Sequence, residues 1–273
     1  MTSIPATPQR GHTSHSQPSF GDLVRSEWIK LRTVGSTVWC LALFTLVTVG
    51  IAALVALDRN GDAAAPHAPV AIDRIVMHST IGVAAGQLAF VVFAASAIGS
   101  EYGTGMIRTS LTAVPWRRRW LAAKALVVSA ITLVTGAVVN VIAFTVGYAL
   151  APEVAGSPLD PGIVRTVLGG GLYLSALSLL AFAVATVARS TAGGIITMAA
   201  MIYVVPFFLL GPAFGGVQRF LPAGLGPGNA GWAIMQSGPM LDGLHPWTGF
   251  AVLCAWVVGC MGVAVCVVGE RDI

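Results

Sequence analysis

Long apolar runs broken by short polar, basic or Gly/Pro-rich segments organise this chain. The runs cover roughly 37–57, 78–100, 121–150, 164–188, 193–210 and 248–268. A helix needs ~20 apolar residues to cross a bilayer, so the pattern predicts six transmembrane helices. The third and fourth runs exceed that length and are expected to tilt or to project beyond the lipid. Pro206 is expected to kink the fifth by removing a backbone hydrogen bond. The period-two alternation of an outer-membrane barrel is absent. The fold class is therefore an all-α polytopic membrane protein.

The breaks carry as much information as the runs. Residues 1–19 are rich in Ser, Thr, Pro and His, lack the apolar core of a secretory leader, and read as a disordered cytoplasmic tail. The remainder, 20–273, reads as one six-span transmembrane domain. At its start, over 20–33, Phe20, Leu23, Val24, Trp28 and Leu31 recur at helical spacing among Arg25, Glu27, Lys30 and Arg32. That pattern predicts an amphipathic helix in the inner interface, with Trp28 at headgroup level and Lys30 and Arg32 facing lipid phosphates. Between the second and third runs lies a basic island in 101–124, holding Arg108, Arg117, Arg118, Arg119 and Lys124. The first half of this island has the pattern of a short amphipathic helix able to dock on another protein. The connection 211–247 is apolar for a loop and punctuated by Gly and Pro, which suggests re-entrant or interfacial helices on the outer side.

Composition agrees with the runs: 56% apolar and 10% charged residues, with a mean hydropathy of +0.82. The net charge of +4 matters through its placement. With both termini inside, Arg10, Arg25, Lys30, Arg32, the five basic residues of the island, Arg189 and Arg271 are cytoplasmic. Only Arg59, Arg74, Arg165 and Arg219 fall outside. This asymmetry predicts a multi-pass protein of a cell membrane with cytoplasmic termini. Cys40, Cys254, Cys260 and Cys266 lie in predicted spans and read as small buried hydrophobes.

Several chemistries are missing. The two lysines, Lys30 and Lys124, do not follow a glycine-rich phosphate loop. No His-Glu-x-x-His or paired intramembrane aspartates occur, the histidines sit in tails, loops or a span end, and no catalytic or metal-ligating set is expected. Midplane charges of the kind that couple ion flow are almost absent. Gln87 and Asn140 are the main polar residues in the spans, and Gly82/Gly86 and Gly171/Ser175 are candidate close-packing pairs. A chain with neither a nucleotide site nor an ion pathway receives its energy, if any, from a partner. Near Pro206, Met201, Tyr203 and Phe207 form a pliable apolar surface suited to greasy ligands.

Three segments are similar to the membrane permease subunit of type 2 ATP-binding cassette (ABC) exporters, the bacterial drug and antibiotic efflux group. They are Leu23-Val-Arg-Ser-Glu-Trp-Ile-Lys-Leu-Arg32; Glu101-Tyr-Gly-Thr-Gly-Met-Ile-Arg108 with Pro115, Arg117–Arg119 and Lys124; and Phe220-Leu-Pro, Pro246-Trp-Thr-Gly249 and Arg271-Asp272 near the end. Glu270 stands where that family often has another basic residue. The resemblance implies an elbow helix at 20–33 and a coupling-helix loop at 101–120 that receives a separate ATP-binding subunit carrying ATP and Mg. It implies no enzyme activity or cofactor in this chain, and a second permease half, identical or not.

In that reading Met106, Ile107 and Leu111 fill a groove on the ATPase. Glu101 and Arg108 set register, Gly103 and Thr104 belong to the same contact, and Arg117, Arg118 and Arg119 hold lipid phosphates. The implied substrate path, between the second and fifth spans, takes Gln87, Phe90, Phe93, Met201, Tyr203 and Phe207. It would carry a hydrophobic or amphipathic drug, antibiotic, peptide or lipid; nucleic acid is not an expected partner. A non-transporting sensor or assembly module docking through the same loop is the alternative, and an intramembrane enzyme is disfavoured by the missing catalytic sets.

Overall fold

A computed structural model of the protein describes residues 19–57, 70–104, 117–151, 154–206, 225–236 and 245–270. The first helix, α1 (Phe20–Thr33), begins at a reciprocal cap: the Ser19 hydroxyl accepts from the Asp22 amide while the Asp22 carboxylate accepts from the Ser19 amide. Val34, in an extended conformation, separates it from α2 (Gly35–Leu57). Then come α3 (Ile72–Gly103), α4 (Arg117–Leu150), α5 (Pro161–Ala188) and α6 (Thr191–Ala199). The short α7 (Pro227–Trp232) and the long α8 (Pro246–Glu270) complete the set. Two-residue strands β1 (Val70–Ala71) and β2 (Val154–Ala155) pair in parallel and tie the connection before α3 to the one before α5.

Five of these helices, α2, α3, α4, α5 and α8, are long and apolar enough to cross a membrane. They run past the predicted runs: α4 starts at Arg117, not at 121, because the arginines continue the helix beyond its apolar part. The predicted fifth span corresponds to a shorter apolar helix, Thr191–Val204. Within it, α6 passes into one π turn at Ala200–Val204, and the Val205 amide bonds to the Ala200 carbonyl. That wide turn directly precedes Pro206, so a local π turn stands where the proline predicted a kink. Residues 1–18, most of 211–247, the terminal Arg271-Asp272 and the expected docking helix beyond Thr104 lie outside the described residues.

Helices α3 and α5 form the centre, packed against each other and flanked by α2, α4 and α8. Phe90, Leu174, Leu177, Leu180 and Phe182 are completely buried there. The outer faces are also apolar: Trp39 is 77% exposed, and Leu46 and Val258 are each 72% exposed. A water-soluble surface would not carry such a band, whereas lipid tails accept it. Part of 211–247 is described: α7 and the 3-10 turn Ala233–Met235 bury Ala230, Ala233, Ile234 and Met235 against α5 and α8. Arg165 holds this piece by donating to the Gln236 carbonyl at 2.7 Å.

The small-residue pairs mark real close approaches. A Cβ on Gly171 would lie 2.9 Å from the Ala137 amide nitrogen and from the Leu133 carbonyl oxygen, and Ser175 donates to the Ser129 carbonyl at 3.1 Å. A Cβ on Gly86 would lie 2.7 Å from the Thr48 hydroxyl. Gly171→Val is therefore expected to cost about 1–3 kcal/mol through backbone displacement. Gly259→Ala, which has open space around it, should be neutral or stabilising by up to ~1 kcal/mol. Thermal unfolding of the two variants in detergent measures the contrast.

Candidate functional site

The ends of the basic island meet on a buried ionic cluster. Helix α1 buries Leu23, Glu27 and Leu31, residues four apart on one stripe, so Glu27 is carried inward with the leucines. Helix α3 brings Glu101 in its last turn, and α4 brings Lys124 two turns after its start. The Lys124 ammonium lies 2.6 Å from Glu27 Oε2 and 2.7 Å from Glu101 Oε1. Lys30 donates to Glu27 Oε1 at 2.8 Å and stands 3.8 Å from Glu101. Glu27 and Lys124 are at most 2% exposed, and Lys124 sits 5.5 Å from the Trp120 ring centroid. Two carboxylates thus face two ammonium groups, and the cluster is neutral as a whole.

Burial alone would push the Glu27 carboxyl up, but the charge of Lys124 and hydrogen bonds from Lys124 and Lys30 outweigh it and hold Glu27 below its ordinary value. Glu101 Oε2, by contrast, has no hydrogen-bond partner among the described residues. These placements change three expected roles. Glu101 does not present its carboxylate at the surface to set register on a partner; it is 6% exposed and anchors Lys124. Lys30 is half-exposed, but its ammonium is engaged by Glu27. Lys124, counted among the cytoplasmic basic residues of the island, is buried. Trp28 and Arg32 are exposed on α1.

The arginine run also has protein contacts. Arg117 Nη1 approaches the Val268 carbonyl at 3.5 Å, and a Cβ on Gly269 would lie 3.8 Å from Arg118 Nε. Both cations therefore sit at the C-terminal end of α8, where unpaired carbonyls favour positive charge. Arg119 is exposed. Gly103 and Thr104 close α3, while Met106, Ile107, Arg108 and Leu111 lie outside the described residues.

A second feature lies between α3, α5 and the π turn. Tyr173 donates to Gln87 Oε1 at 2.6 Å, Gln87 Nε2 bonds to the Tyr203 oxygen at 3.1 Å, and Tyr203 donates to the Ala84 carbonyl at 2.7 Å. A cavity of about 210 Å³ borders these groups, with Asn229 and Trp232 of α7 on its other side. Of the expected substrate-path residues, Gln87 and Tyr203 meet here. Met201 is half-buried on the π turn without lining the cavity. Phe90 is fully buried and stacked on Phe44 at 4.2 Å, and Phe93 lines a different groove. Phe207 lies outside the described residues.

Sequence reasoning missed Tyr173, Asn229, Trp232 and Glu27. For Glu27 the Leu23–Glu27–Leu31 spacing was an available signal. Among the described residues no three His, Cys, Asp or Glu side chains are placed to hold a metal ion.

The apolar helices and the paired island define a multi-pass transmembrane protein. A family model described as ABC-2 family transporter protein matches residues 23–207, well over half of the chain and all of the ionic cluster. The chain belongs to this family, and it is a transmembrane ABC permease. No curated protein matches it.

Removing Lys124 leaves two buried carboxylates with only Lys30 nearby. Lys124→Met should destabilise the protein by roughly 3–5 kcal/mol, and Glu27→Gln, which leaves Lys124 on Glu101, by about 1–3 kcal/mol. Because the Glu27 pKa is lowered on folding, its contribution is present above the ordinary glutamate value of 4.5 and is lost as pH falls through the lowered folded value. Unfolding temperatures measured between neutral and about pH 3 should therefore fall more steeply in wild type than in Glu27→Gln.

Proposed function

We propose that this chain is one half of an ATP-driven exporter of hydrophobic or amphipathic molecules in a bacterial cell membrane. In this reading six spans cross the bilayer, the fifth of them including the apolar helix Thr191–Val204, and both termini are cytoplasmic. A separate ATP-binding subunit hydrolyses MgATP, and a second permease half, identical or related, completes the pathway. The observation that carries the proposal is the ionic cluster at the foot of 105–116. It joins the two helices that flank this segment to each other and to α1. A push delivered to the segment by a partner would move α1, α3 and α4 as one body, because separating them strands buried charge.

Met106, Ile107 and Leu111 are the proposed apolar grip on the ATPase, with Arg108 beside them and Gly103 and Thr104 at the base. Glu101 transmits, not docks. The substrate path is proposed to run past the cavity at Gln87, Tyr173 and Tyr203, whose mixed lining of apolar and hydrogen-bonding groups suits an amphipathic ligand.

Ile107→Asp with Leu111→Asp should abolish co-purification with a co-expressed partner ATP-binding subunit, while the permease still folds. Intact assembly would remove the docking assignment. In a reconstituted complex, Tyr203→Phe should leave basal ATPase unchanged and lower the stimulation by transported amphiphiles severalfold. A complex that assembles without any substrate-stimulated ATPase or transport would favour a sensor or assembly module.

A further inference from the structure

Gln87 lies near the middle of α3 and Tyr173 near the middle of α5, so the cavity they border is at mid-depth of the two central spans. The described elements around it keep charge at a distance. Helix α3 has no Asp, Glu, Lys or Arg between Arg74 and Glu101, and α5 has none between Arg165 and Arg189. Helix α6, its π turn and α7 have none at all. Along α5, Arg165 is eight residues before Tyr173, about 12 Å at the helical rise. Its guanidinium donates to the Gln236 carbonyl.

The polar groups that line the cavity are neutral and already arranged. Tyr173 donates its hydroxyl proton to Gln87 Oε1, and the Gln87 amide nitrogen donates to the Ala84 carbonyl and to the Tyr203 oxygen. Tyr203 in turn donates to the Ala84 carbonyl. These bonds join α3, α5 and the π turn, so turning one dipole toward an ion breaks a link between elements. Asn229 and the Trp232 indole bring N–H groups to the other side.

An uncharged group with both a donor and an acceptor, such as a carboxamide, can be met on the two walls. An ion is not met in this way. No residue of opposite charge is among the described lining residues. The hydration an ion surrenders at this depth exceeds what neutral dipoles or aromatic faces return. At about 210 Å³ the cavity is also smaller than a site for a whole drug-sized molecule, and it receives one end of a ligand.

We propose that this cavity selects by charge, admitting the uncharged, hydrogen-bonding end of an amphiphile and rejecting ammonium and carboxylate ends. The proposal rests on the substrate-path reading above and names its substrate class, amphiphiles with a neutral polar head.

The test uses three probes of closely similar shape and different charge: para-hexylbenzamide, para-hexylbenzamidinium and para-hexylbenzoate. Saturable binding of each radiolabelled probe is measured on the purified full-length protein in lipid nanodiscs, with empty nanodiscs subtracted for partitioning. The benzamide should bind at least about tenfold tighter than either ion. Gln87→Glu, and Asn229→Asp at a half-buried position across the cavity, each put a carboxylate on one wall. Both should move the preference toward the benzamidinium by about tenfold or more. Asn229→Asp replaces no member of the Tyr173–Gln87–Tyr203 network and carries the test should Gln87→Glu fail to fold.

Equal binding of the three probes, or no saturable binding, overturns the proposal. So does tighter binding of the benzamidinium, which would make the aromatic faces a cation site, or of the benzoate, which would point to Arg165. A neutral preference unchanged in the folded variants removes this cavity as its source. ATPase stimulation and transport in the assembled complex test the export reading apart. Neutral-selective binding with neither response sinks export and leaves the charge selection standing. Equal transport of all three probes leaves export standing and overturns the selection.

Discussion

The ammonium of Lys124 is shared between two carboxylates, Glu27 on α1 and Glu101 in the last turn of α3, and the packing at this end of the fold depends on that sharing. Buried charge is tolerated only when paired and hydrogen-bonded. The pairing therefore determines where α1 lies against the spans and how the ends of α3 and α4 approach each other. Without Lys124, two acidic groups would face an apolar interior; without the carboxylates, the ammonium would rest on Trp120 alone. Net stability gained from such a cluster is small, because desolvation offsets most of the attraction. Its consequence is geometric: three helices cannot separate independently.

That geometry bears on the proposed transport cycle. Helices α3 and α5 are packed through buried aromatic and aliphatic side chains, and small residues bring α4 within backbone contact of α5. Force applied at the foot of α3 and α4 would pass along stiff elements. The π turn that precedes Pro206 departs from regular α-helical bonding, and there Tyr203 ties the chain back to α3 through Gln87 and Ala84. In the proposed exporter the ionic base would collect motion, and a change in these bonds would alter the shape of the cavity.

Much of the architecture was readable from the pattern of residues. Five apolar runs became long helices, since a stretch of some 20 apolar residues in lipid has to satisfy its backbone internally. The amphipathic start, the basic island and the close-packing glycines were visible for the same reason: each is a local pattern with a local cause. The cluster was not. Glu27 looked like one more charge on the polar side of an amphipathic helix, and Lys124 like one more charge in a cytoplasmic island. Their partners are 97 and 23 residues away in sequence, so no window along the chain contains the interaction. Arg117 and Arg118 were likewise read as lipid anchors, because nothing local announces that α8 ends beside them.

The amino-acid sequence by itself determined the solvent this protein lives in, the positions of five long apolar helices, and its basic asymmetry. These follow from hydrophobicity, which acts residue by residue. Tertiary structure decided which charges are exposed and which are buried, and which side chains around Gln87 enclose a cavity. Those depend on distances of 2.6–3.5 Å between residues remote in the chain, and only packing brings such atoms together.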